Sequence, residues 1–65
     1  MRVIVNGNEE QTEARTLDGL LRELGYGTAK VATALNGQFV PAAERSNVQL
    51  DSGAKIEIVS PRQGG

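Results

Sequence analysis

The stretch TLDGLLRELG at residues 16–25 constrains the fold most, because it is the clearest helix in a chain of 65 residues. Its leucines recur at i, i+3, i+4 and i+7 and form one apolar stripe. Both ends of the helix carry the expected signals. Thr16 is the N-cap, Asp18 is an acidic residue in the first turn, and Gly25 is the C′ glycine. A single stripe must pack against another element, and a chain this short can supply only one sheet. The sequence does not explain Gly19 inside the helix; a close approach of helix to sheet is one explanation.

The remaining residues predict strands and turns. Asn-Gly pairs predict two hairpins, one with arms at residues 2–5 and 9–14 and one in VATALNGQFVP, which Pro41 ends. A short helical turn is expected at residues 42–50 and a tight turn at residues 51–53, before the alternating strand KIEIV. With the first and last strands adjacent in the middle, this order predicts an α+β, β-grasp (ubiquitin-like) fold, one mixed sheet of four to five strands packed on one α-helix. The acidic arm at residues 9–14 is either an edge strand protected by charge or an acidic docking surface.

Composition excludes several kinds of function. The chain has no Cys and no His, a net charge of −1, and only one Phe and one Tyr. A thiol nucleophile, a disulfide and the usual metal ligands are therefore missing, and neither a nucleic-acid surface nor a base-stacking platform is expected. No apolar run is long enough to cross a membrane and no signal peptide is evident, so a cytoplasmic protein is expected. We interpret the chain as a binding or carrier protein, not an enzyme, with no catalytic residue, metal or bound cofactor.

The final residues, SPRQGG, predict a projecting tail. Pro61 has no N–H and ends the last strand, and Gly64 and Gly65 leave their backbone open to close approach by another protein. We therefore predict a β-grasp domain at residues 1–59 and a flexible Gly-Gly tail at residues 60–65. A trimmed end or a cloning remnant would give the same pair of glycines.

The sequence resembles the ThiS-type sulfur carrier proteins of thiamine thiazole synthesis. The resemblance covers nearly the whole chain and lies in VIVNG, TLDGLLRELG, VATALNGQFVP, LDSGAKIEIV and the terminal QGG. ALNGQFVP together with the Gly-Gly end is its most specific part. Family members often have Asp-Gly-Asp before the last strand, where this chain has Ser52-Gly53-Ala54.

The resemblance implies chemistry at the carboxylate of Gly65. A ThiF-type, E1-like adenylating enzyme would use ATP to activate it, a persulfide donor would convert it to a thiocarboxylate, and a ThiG-type thiazole synthase would take the sulfur. The carrier would be a monomer when free. Tail residues Arg62, Gln63 and Gly64 would lie in a partner's groove, where Arg62 either meets a carboxylate or stays solvated.

Hairpin parity predicts where a partner docks. A two-residue loop at Asn36-Gly37 pairs Ala34 with Phe39 and places both on the face of the sheet away from the helix. Ile4 and Val59 join them there if their neighbours are core, and the four residues form a predicted docking patch. A longer loop would shift the register by one residue and make Phe39 core instead.

Proteins with other functions share this fold and tail. The small subunit of molybdopterin synthase has the same fold and tail but tends to be longer, and carriers for tRNA thiolation or cysteine synthesis are further variants. A ubiquitin-like interaction module without terminal chemistry would tolerate extension of its tail. A protein modifier would leave lysine conjugates in cell extracts.

Overall fold

The computed structural model describes residues 1–27 and 30–60. Five strands, one α-helix and one 3₁₀ helix follow each other in this part of the chain: β1 (Arg2–Val5), β2 (Asn8–Gln11), α1 (Leu17–Glu23), β3 (Ala32–Leu35), β4 (Gln38–Val40), the 3₁₀ helix (Ala42–Asn47) and β5 (Lys55–Val59). The sheet order is β2-β1-β5-β3-β4. β1 and β5 run parallel and the other neighbours antiparallel, so the predicted mixed β-grasp sheet, with its first and last strands adjacent, is confirmed.

Both hairpins turn through an Asn-Gly pair. Asn6 and Asn36 each have φ of 50°, and Gly7 and Gly37 each have φ of 86°. Positive φ at both central residues defines the type I′ turn, whose twist matches that of the strands it joins. The second hairpin pairs Ala34 with Phe39, as parity predicts.

The helix packs its leucine stripe on one face of the sheet. Its start is capped as predicted, since the Thr16 hydroxyl accepts a hydrogen bond of 3.1 Å from the Gly19 N–H. Asp18 and Arg22 form the i,i+4 ion pair at 3.4 Å, and Gly25 has φ of 89° just beyond the helix. The buried apolar residues form one cluster, made of Val3, Val5, Leu17, Leu20, Leu21, Val40, Leu50, Ala54, Ile56 and Ile58.

The suggested explanation for Gly19, a close approach of the helix to the sheet, is wrong. The three atoms nearest to a Cβ built at this position all belong to Ala14 and Thr16, and two of them lie at 3.3 Å. Both residues precede the helix, so the tight contact lies between the first turn of α1 and its own entry segment, not between helix and sheet.

The two predicted minor turns are also present. The 3₁₀ helix accounts for the helical turn expected at residues 42–50. At residues 51–54 the Ala54 N–H donates to the Asp51 carbonyl at 3.0 Å and Gly53 has φ of 85°. Ser52-Gly53-Ala54 therefore forms a tight turn without the acidic pattern common in the family.

Strand β2 lies at one edge of the sheet, and all four of its residues are exposed. This confirms the edge-strand interpretation for residues 9–11 of the acidic arm, whereas residues 12–14 lie beyond the strand and Thr12 is buried. The use of the arm as a docking surface stays a prediction. In the described part of the chain, no helix has the length and apolar character that a membrane crossing requires.

Candidate docking face and the end of strand β5

No helix or strand of residues 1–27 and 30–60 covers the face of the sheet away from the helix. Burial alternates along β5: Ile56 and Ile58 are buried, and Lys55, Glu57 and Val59 are exposed. Phe39 is 69% exposed and Val59 61% exposed, which are large values for apolar side chains. We call this surface the open face and define it by Ile4, Ala34, Phe39, Lys55, Glu57 and Val59.

The strand register determines how the open face is arranged. Phe39, Ala34 and Glu57 lie side by side across β4, β3 and β5. Ile4, which is partly buried, pairs with Lys55 at the other end of β5 from Val59. The four residues of the predicted docking patch therefore share one face, and the alternative register with Phe39 in the core is wrong.

Two charged residues of the open face were not assigned to the patch by sequence reasoning. Glu57 lies between Lys55 and Val59 on β5 and next to Ala34, so a carboxylate is at the middle of the apolar residues. The alternation of KIEIV already contained this signal, because Glu57 and Val59 point the same way. The open face thus carries one charge of each sign, from Lys55 and Glu57, beside its apolar residues.

A polar network under the second hairpin fixes the strand that carries Phe39. The Thr33 hydroxyl, which is buried, donates to the Val40 carbonyl at 2.8 Å. Arg45 of the 3₁₀ helix donates from Nε to that hydroxyl at 3.0 Å and from its guanidinium to the Val31 carbonyl at 2.6 Å. The bond from the Thr33 hydroxyl to Val40 joins β3 and β4 in addition to their backbone ladder.

The C-terminal end of β5 is held by a side chain from the first turn. The Asn6 amide accepts from the Ile58 N–H at 2.8 Å and donates to the Ile58 carbonyl at 3.1 Å. Strand β5 ends at Val59. The predicted tail residues Arg62, Gln63, Gly64 and Gly65 lie outside the described residues.

Among residues 1–27 and 30–60, no group of three carboxylates lies close enough to hold a metal ion. The candidate site thus consists of the open face together with the strand that leads into the tail. The open face can bind a partner. Strand β5 connects that face to the tail residues, where the sequence predicts the reacting carboxylate.

Comparison with known proteins identifies the family. The model of the ThiS family matches residues 2–65, nearly the whole chain. The chain belongs to the ThiS family. The predicted family and fold are thereby confirmed.

Two similar proteins add detail. The chain is 26% identical to the thiamine biosynthesis protein ThiS from Geobacter metallireducens, with a TM-score of 0.80 and full coverage of both chains. It is 38% identical over 66 residues to a thiazole synthase from Paramagnetospirillum magneticum. The alignment covers 100% of this chain but only 20% of that protein, so the chain spans about a fifth of this relative's length.

Proposed function

We propose that this protein is a sulfur carrier for the synthesis of the thiamine thiazole ring, with the sulfur held as a thiocarboxylate on Gly65. The observation that carries the proposal is the ThiS-family match, which extends through both Gly64 and Gly65. The fold similarity to a thiamine biosynthesis protein supports the same pathway.

The proposed chemistry takes place at one carbonyl carbon. A carboxylate oxygen of Gly65 attacks the α-phosphorus of ATP on an adenylating enzyme of the ThiF type, and pyrophosphate leaves. A persulfide sulfur then attacks the acyl carbon and AMP leaves; a second thiol cleaves the S–S bond of the product and releases the thiocarboxylate. The catalytic groups belong to the partners and ATP is their co-substrate, so the carrier acts as a protein substrate in the cytoplasm. Glycine at positions 64 and 65 suits these steps because no side chain obstructs the attack.

The proposed acceptor of the sulfur is a thiazole synthase of the ThiG type. In Paramagnetospirillum magneticum, a protein named thiazole synthase contains a region similar to this entire chain. A carrier-like region within such a polypeptide supports a working relation between the two activities. We extend that relation to this chain as a separate partner.

The open face is the proposed docking surface for these partners. Phe39 and Val59 expose most of their apolar surface, and Ala34 beside Phe39 is small enough to let a partner approach. Docking there would place the residues after Val59 against the partner, with Arg62 and Gln63 between the domain and the reacting glycines. The domain boundary at residue 59 is part of the proposal.

Mass spectrometry tests the chemistry directly. Incubation with the adenylating enzyme, ATP and a persulfide donor should add the mass difference of one oxygen-to-sulfur exchange, located on Gly65. A chain without Gly64 and Gly65 is the control; it should not be loaded, although its free energy of unfolding should change by no more than about 0.5 kcal/mol, as for positions outside the core. Absence of a thiocarboxylate on the intact chain would contradict the proposal, and loading without sulfur transfer to thiazole synthase would assign the carrier to another pathway.

A further inference from the structure

The parallel ladder between β1 and β5 continues beyond the last residue of β1. Backbone N–H groups of Ile4 and Asn6 donate to the carbonyls of Ala54 and Ile56 at 2.8 and 2.9 Å. The next N–H and carbonyl of β5 on this side belong to Ile58, where β1 has already ended in its turn. The Asn6 side chain pairs with both groups and so replaces one missing step of the ladder.

The turn alone does not require this side chain. Asn6 has φ of 50°, a conformation that glycine adopts at least as readily. Two bonds to one residue also fix the orientation of the amide, because the Ile58 N–H must donate to oxygen and the Ile58 carbonyl must accept from nitrogen. The position therefore combines a turn residue with a clamp on a strand that is distant in sequence.

The second Asn-Gly turn provides a matched case at the other end of the same strand. Asn36 has the same φ, and its side-chain oxygen accepts from the Lys55 N–H at 3.0 Å. Its backbone N–H donates to the Lys55 carbonyl at 2.7 Å. Strand β5 is thus held by one asparagine side chain at its start and by another next to its end.

We propose that Asn6 is a positioning residue for sulfur loading, which holds the end of β5 in the sheet while a partner draws the following residues into its active site. The inference rests on the proposed function, since it concerns the segment that carries Gly65. Only Val59 and Ser60 separate Ile58 from the residues beyond the described part. β3 pairs with β5 as far as Val59 on the other side of the strand, so loss of the Asn6 clamp frees only the edge of β5 that faces β1. The following segment then starts from a less fixed point, and the acyl carbon is placed less accurately for attack.

The test compares two variants that keep their turns and lose one clamp each. Asn6→Gly and Asn36→Gly both retain a type I′ sequence, Gly-Gly. Asn6→Gly should raise the amide hydrogen-exchange rate of Ile58 and lower kcat for loading by about tenfold, because misplacement of the reacting atom by about 1 Å can cost more than that. The KM of the adenylating enzyme for the carrier should stay within about twofold, since the open face is unchanged. Asn36→Gly should raise exchange at Lys55 and leave kcat within about twofold of the parent.

A third variant separates positioning from stability. Asn6→Asp keeps an oxygen for the Ile58 N–H but places a second carboxylate oxygen, in place of the donor, against the Ile58 carbonyl, so its kcat should also lie below that of the parent. If urea unfolding shows that Asn6→Gly is much less stable than Asn36→Gly, the comparison of kcat is made with Asn6→Asp instead. Equal kcat values for the parent and both Asn6 variants, or equal losses in Asn6→Gly and Asn36→Gly, would overturn the inference. A parent protein that is never loaded would instead refute the proposed function.

Discussion

The two faces of the sheet differ sharply, although the same strands build both. On the face that α1 covers, Val3 and Ile56 are exposed by 0% and 1%, whereas on the open face Val59 and Phe39 are exposed by 61% and 69%. The buried strand residues on the covered face are apolar apart from Thr33, whose hydroxyl hydrogen-bonds Val40 and Arg45. The open face mixes large apolar side chains with Lys55 and Glu57.

The difference follows from the number of helices. A sheet has two faces, and the one α-helix found in residues 1–27 and 30–60 can cover only one of them. An apolar group is stabilising where it is removed from water. Phe39 and Val59 therefore contribute little to the isolated domain, but they can contribute to binding once a partner covers them.

The largest effect should come from the covered face. Ile56→Ala removes a side chain that is 1% exposed, and the lost burial plus the cavity should cost about 2–5 kcal/mol of unfolding free energy. Urea unfolding measures this loss. Val59→Ala on the same strand is the matched control and should cost less than about 1 kcal/mol, because its side chain is largely in water already. Similar losses for the two variants would mean that the faces do not differ as described.

The next effect concerns affinity. Phe39→Ala should weaken binding to the adenylating enzyme by about 2 kcal/mol or more, roughly thirtyfold, as for an aromatic anchor at an interface. The isolated domain should lose less than about 1 kcal/mol, because Phe39 is not part of the core. Titration calorimetry and urea unfolding on the same variant test both statements.

A neighbouring residue provides the control for this prediction. Gln38 is exposed and precedes Phe39 on β4, so its side chain points to the opposite face. Gln38→Ala should leave the affinity unchanged within about twofold. If Phe39→Ala binds as well as the parent, the open face is not the docking surface, whatever the outcome of the sulfur-loading experiment.

Most of the fold could be predicted from the sequence because its signals are local. The leucine spacing of α1, the two Asn-Gly turns and the alternation of KIEIV each act within a few residues. Parity around Asn36-Gly37 places Phe39 on the open face without reference to any tertiary contact. The same reasoning did not include Glu57 in the patch, although it faces the same way as Val59.

Contacts between distant residues could not be predicted in this way. The Asn6 side chain bonds Ile58, 52 positions later, and Arg45 reaches Thr33 and Val31 from the 3₁₀ helix. Such contacts depend on the assembled fold, and no period or turn signal encodes them. Gly19 belongs to the same class, since its neighbours depend on how the chain enters the helix.

The smallest effect tests whether Gly19 belongs to the covered face. A helix packed on the sheet through a glycine would be pushed away by a methyl group, and such overpacking costs about 1–3 kcal/mol. Here the new Cβ would lie 3.3 Å from the Ala14 Cβ and the Thr16 Oγ1 instead. Alanine should gain up to about 1 kcal/mol in helix propensity. It should lose a similar amount as it displaces the hydroxyl that caps the Gly19 N–H, since a cap contributes about 1 kcal/mol.

The two terms should nearly cancel, so Gly19→Ala should change the unfolding free energy by less than about 1 kcal/mol, measured in urea. A double-mutant cycle with Thr16→Ala separates them. Without the Thr16 hydroxyl, one close contact and the cap are both already absent, and Gly19→Ala should then stabilise the domain relative to Thr16→Ala alone. A loss of about 2 kcal/mol or more in both backgrounds would indicate overpacking that does not involve the cap. Because the Ala14 contact remains in both backgrounds, the cycle would be repeated with Ala14→Gly, and only a loss that persists there would count Gly19 with the covered face.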